Sequence, residues 1–203
     1  MSPVVPGGAG IRLFWIPLGA GAHVVRLSGR IYEGLAATAQ RRSRCDLYHS
    51  ALEIAVPPAR FVVEMTPVPD GAGPSRGVVA EGPVGSRLLG RFRLFRYEVR
   101  RWPGGVIPDV DAAAATLHLP CPRDRAERLL GLLPAIPTLV WGRDELGAGD
   151  MWNSNSVTAW LLARGGLDLD GIGPPPGGRA PGWHAGLVAA AGVAATDAGR
   201  KAA

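Results

Sequence analysis

The chain has 203 residues, 47 % of them hydrophobic and six of them tryptophan, which is enough to bury a core as a single domain and excludes an intrinsically disordered chain. Its 29 glycines and 19 prolines are about a quarter of the whole and call for many loops between short elements. The net charge of +5 rests almost wholly on arginine, Lys201 being the sole lysine; it permits an anionic partner, nucleic acid or a lipid surface, without requiring one.

From the N-terminus, residues 1–10 are rich in Pro and Gly and read as a loose end. Ile11 to Ile16 reads as a short strand ended by Pro17. Gly19-Ala20-Gly21 lacks the Lys and Ser of a phosphate-binding loop, so no nucleotide cradle is expected there. Leu27, Ile31, Leu35 and Ala39 share one helical face and predict a helix near 28–42, ending in the basic run Arg41-Arg42-Ser43-Arg44.

Residues 46–56 and 61–66 predict two strands joined by a four-residue loop, Pro57-Pro58-Ala59-Arg60. With Val56 opposite Phe61, one face carries Ser50, Leu52, Ile54, Val56, Phe61, Val63 and Met65 and belongs to the core. The other face carries His49, Ala51, Glu53, Ala55, Val62, Glu64 and Thr66, small and polar enough to let another segment pack close. This register sets Glu53 opposite Glu64. Two facing carboxylates suit an arginine between them, or the acid/base work of a glycosidase.

Residues 69–90 read as a Gly/Pro-rich connector with a short strand at Val78-Val79-Ala80. Residues 91–101 mix apolar side chains with Arg91, Arg93, Arg96, Arg100 and Arg101 and predict a strand. Such a strand suits a sheet with snorkelling arginines, or single-stranded nucleic acid if the arginines share an exposed face. Residues 123–133 predict a helix closed by Pro134.

Asn153, Ser154, Asn155 and Ser156 then lead into an amphipathic helix carrying Val157, Trp160, Leu161 and Arg164 and stopped by Gly165-Gly166. Asn and Ser are what any helix start favours. Four in a row exceed one cap, and no Glu or Gln stands at capping-box spacing. A side chain at a helix mouth sits among unpaired N–H groups at the positive end of the helix dipole, a place suited to a nucleophile. Residues 173–183 form a Pro/Gly-rich loop, and the chain from Thr196 reads as a loose end.

Cys45 and Cys121 form no CxxC pattern and are expected as free thiols in a cytoplasmic protein. The N-terminus lacks the basic and apolar regions of a signal peptide, and no apolar run is long enough to span a membrane. The four histidines have no ligand-like spacing, so neither metal nor cofactor is implied.

The order of the two informative stretches, a histidine opening a strand and a small polar residue opening a later helix, resembles the circularly permuted papain-like folds of the NlpC type, which include the lecithin retinol acyltransferase-like proteins. In those, His-x-Gly/Ala-aliphatic carries the base and an Asn-Cys-Asn-like turn carries the nucleophile. Here His49-Ser50-Ala51-Leu52-Glu53-Ile54 and Asn153-Ser154-Asn155-Ser156-Val157 match, with serine in place of cysteine. The chain is also similar to a group of bacterial proteins of uncharacterised function that carry an Asn-Ser-Asn-Ser/Thr motif, followed by Leu-Asp and Pro-Pro stretches as at Leu167-Asp168 and Pro174-Pro175.

The resemblance implies an α+β fold, an antiparallel sheet packed against a helix, over 1–203 as one domain. It implies Ser154 as nucleophile and His49 as base, with Asn153, Asn155 and Ser156 in support. Glu64 is the expected orienter of His49, with Thr66 and Glu53 behind it. The substrate would be a small molecule, peptide or lipid with an amide or ester bond. Because a serine needs its proton removed during attack, the substitution also leaves open a silent groove that only binds.

Overall fold

The computed structural model describes residues 8–18, 45–68, 77–107 and 109–201, with side chains through residue 192. The helix expected near 28–42, the basic run 41–44 and the loop Gly19-Ala20-Gly21 lie outside the described residues.

The fold is α+β. Six strands form one antiparallel sheet: β1 (Gly10–Pro17), β2 (Tyr48–Val56), β3 (Ala59–Pro67), β4 (Val78–Pro83), β5 (Arg96–Pro103) and β6 (Ala115–Pro120), in the spatial order β4-β5-β3-β2-β1-β6. Three helices accompany it: α1 (Arg123–Leu132), α2 (Ser154–Arg164) and α3 (Trp183–Lys201). Strand alternation sends Ile11, Leu13 and Trp15 of β1, and Tyr48, Leu52, Ile54 and Val56 of β2, to one face. There they join Leu129 of α1, and Val157, Trp160 and Leu161 of α2, in the main core. α3 covers α2 from outside, and Trp183 at its start meets Trp15 with ring centroids 5.1 Å apart. Residues 155–162 are consequently buried all round, so α2 is an interior helix and not the amphipathic one expected.

The opposite face of the sheet carries a smaller cluster, Phe14, Ile16, Ala51 and Val62, closed by Ile107, Val110 and Ala113. This is the face of small and polar residues, and the segment after β5 is what packs on it.

Three expectations are corrected. The β2–β3 turn is Pro57-Pro58 alone, joined by a cis peptide bond, because Ala59 and Arg60 retain N–H groups and pair with Val56 and Ala55. The register moves by two, which keeps every residue on its expected face but sets Glu53 opposite Val62 and not Glu64. The strand expected from Arg91 starts at Arg96, because β4 offers its last partner at Pro83; residues 89–95 instead fold into two 3₁₀ turns.

Candidate functional site

β2 pairs with β1 from Tyr48, opposite Pro17, to Ala55, opposite Gly10, but with β3 only over Leu52–Val56. Beyond Leu52 the two strands separate, while β3 stays on β5 through Pro67. The backbone of Tyr48 and Ser50 therefore needs other partners on that side. The N–H of Tyr48 donates to the carbonyl of Arg179 at 2.8 Å. The side chain of Asn155 supplies two more: its Oδ1 accepts the Ser50 N–H at 2.7 Å, and its Nδ2 donates to the Tyr48 carbonyl at 3.0 Å. Nδ2 also donates to the Pro181 carbonyl at 2.8 Å, so the buried carboxamide is satisfied. The mouth of α2 is thus pinned to the strand backbone on both sides of His49.

Asn153 is the N-cap. Its Oδ1 accepts the N–H groups of Asn155 (2.8 Å) and Ser156 (3.4 Å), and its Nδ2 donates to Pro181 at 2.8 Å. Ser156 Oγ accepts the Asn153 N–H at 3.0 Å and donates to the Gly182 carbonyl at 2.7 Å. This is a capping box with Ser in the place usually taken by Glu or Gln, correcting the expectation that none would form. Gly182 lies so close that a Cβ there would stand 2.2 Å from Asn153 Oδ1, and its φ of +92° favours glycine independently. Asp150 holds the Gly182 N–H with both carboxylate oxygens, at 2.8 and 2.7 Å.

Asn153, Asn155 and Ser156 are therefore all committed to structure. Ser154 is not. It is half-buried at the first position of α2, and neither its hydroxyl nor its backbone N–H makes a hydrogen bond among the described residues.

His49 is half-buried on the face of Ile16 and Ala51, beneath the segment carrying Ile107 and Val110. Burial lowers its pKa below 6.5, and the charge of Asp109 partly opposes that. Asp109 was missed by sequence reasoning. It is the one non-glycine residue with positive φ among those described, +61°, at the turn that closes this face. Nothing local in the sequence marks it, since its relation to His49 comes from packing between β5 and β6.

The orienters expected from sequence are engaged elsewhere. Glu64 faces Arg100 across β3–β5 and accepts from its Nη1 at 3.0 Å, and Arg100 also pairs with Glu98. Glu53 is held by Arg12 and by Arg60, whose Nη1 lies 2.5 Å from Oε2. The β2–β3 register would bring Thr66 opposite His49, but the strands have parted there and Thr66 pairs with Glu98 in β5. Glu53 and Glu64 are each taken by arginine rather than facing one another, which removes the acid/base pair of the glycosidase kind.

Cys45 and Cys121 are not joined in a disulfide, and burial pushes the Cys121 thiol up. Among the described residues no group of three or more His, Cys, Asp or Glu side chains is arranged to hold a metal ion. Searches of family models, curated proteins and solved structures returned no match to the chain.

Proposed function

We propose that this chain is an amide or ester hydrolase, or an acyltransferase, on a permuted papain-like scaffold, with Ser154 as nucleophile and His49 as general base. The observation that carries the reading is the division of labour at the helix mouth. Asn155 fixes the helix to β2, Asn153 and Ser156 cap it and tie it to Pro181 and Gly182, and Ser154 is left with a hydroxyl unused among the described residues.

In this reading His49, neutral at pH 7 because burial lowers its pKa, takes the Ser154 proton as the oxygen attacks a carbonyl carbon. The oxyanion is met by the Ser154 N–H, unused by the cap, at the positive end of α2. Collapse expels the amine or alcohol, which takes the proton from His49, and leaves an acyl-serine for water or a second acceptor. Asp109 steadies the imidazolium that forms in each step.

Turnover of a panel of activated esters by the wild-type chain and by Ser154→Ala tests this. Loss in the variant, with an unchanged melting temperature, supports the reading, and equal rates sink it. A silent groove is the second reading. What favours it is that Glu64 and Glu53 are both committed to arginines. It predicts no turnover by either protein.

A further inference from the structure

Between Glu81 and Glu98 the chain has no acidic residue. Five of the large apolar side chains exposed among the described residues fall in this one interval: Leu88, Leu89, Phe92, Leu94 and Phe95. Phe92 and Leu94 are 63 % and 69 % exposed, far more than core packing would leave them. Arg87, Arg91, Arg93 and Arg96 are interleaved with them, and neither Arg91 nor Arg93 has an ion-pair partner among the described residues.

The segment is built to stand out from the sheet. Its backbone is satisfied within itself, Phe92 N–H to Leu89 O and Phe95 N–H to Phe92 O both at 2.9 Å. Its base is clamped. Val84 N–H donates to Phe95 O at 2.8 Å, Arg87 binds Glu145 through two hydrogen bonds of 2.7 and 3.0 Å, and Arg143 reaches Gly85 O at 2.7 Å. Leu146, beside Glu145, is exposed as well.

We propose that residues 87–95 dock the protein on an anionic lipid bilayer, the apolar side chains entering the boundary between headgroups and acyl chains while Arg91 and Arg93 meet lipid phosphates. Exposed apolar groups among unpaired cations match such a surface in both hydrophobicity and charge. Single-stranded nucleic acid matches less well. Three of the five apolar side chains are leucines, which offer no ring for a base to stack on, and Arg100, counted on for that role, is buried between Glu64 and Glu98. Since no helix among the described residues is long and apolar enough to cross a membrane, the contact is peripheral. The proposal rests on this surface and not on the chemistry assigned to Ser154.

The test is sedimentation of the full chain with vesicles of phosphatidylcholine alone or mixed with phosphatidylglycerol. Two variants are compared with the wild type, Phe92→Ser/Leu94→Ser and Arg91→Gln/Arg93→Gln. The expected result is binding to the anionic vesicles only, weakened about tenfold by either pair at unchanged melting temperature. Equal binding to both vesicle types, no binding, or binding indifferent to both pairs would overturn it. So would variants that leave vesicles untouched but abolish binding of an oligonucleotide or self-association.

Discussion

Asn155 accepts the backbone N–H of Ser50 at 2.7 Å across 105 residues of sequence, doing for β2 what β3 does a few residues further on. A side-chain amide presents one acceptor and two donors, and all are used here, on Ser50, Tyr48 and Pro181. Asn155→Ala leaves three backbone groups short of partners in a buried place and is expected to cost roughly 2–4 kcal/mol in urea unfolding. Asn155→Asp keeps the acceptor for Ser50 but turns oxygen toward the carbonyls of Tyr48 and Pro181, so a comparable loss is expected.

The cap has a second vulnerable point at the start of α3. Gly182→Ala puts a Cβ into the Asn153 carboxamide at a backbone angle that resists it, and should cost more than ~1 kcal/mol. Gly186→Ala meets the Ser156 carbonyl at 2.3 Å and should push α3 away from α2. Thermal unfolding of both variants measures this.

His49 makes stability depend on pH. Its folded pKa lies below the 6.5 of the free side chain, so below about pH 6.5 the unfolded chain binds the proton more readily and stability falls with pH until the folded value is passed. His49→Gln should flatten that part of the curve. Asp109 raises the His49 pKa, so Asp109→Asn should lower it further, deepening the acid loss and moving the acid limb of any esterase activity to lower pH. NMR titration of the His49 ring measures the shift directly.

Arg100 is 3 % exposed and balances Glu64 and Glu98. Arg100→Met fills similar space but leaves two largely buried carboxylates without their cation. We expect a loss of roughly 3–5 kcal/mol by denaturant unfolding.

The two faces of the β2–β3 hairpin were legible because apolar residues alternate over both strands, and a slip of two residues preserves that alternation. The register itself was not, because Ala59 and Arg60 follow two prolines and look like loop. The start of α2 was marked by its polar run, but which of the four residues caps, which anchors and which is left over depends on Ser50, Tyr48 and Pro181, brought in by tertiary contact. β6 escaped notice because its alternating residues, Ala115, Leu117 and Leu119, are few and modest, with β1 as the neighbour that makes them a strand. The 87–95 segment has the composition of a strand and no strand beside it.

Reactivity separates a nucleophilic Ser154, as proposed, from one more helix-start serine. A fluorophosphonate probe followed by peptide mass mapping tests it most directly. A nucleophilic Ser154 takes up a single adduct, lost in His49→Ala as well as in Ser154→Ala. An adduct on another residue, or none in a folded wild-type chain, would contradict it.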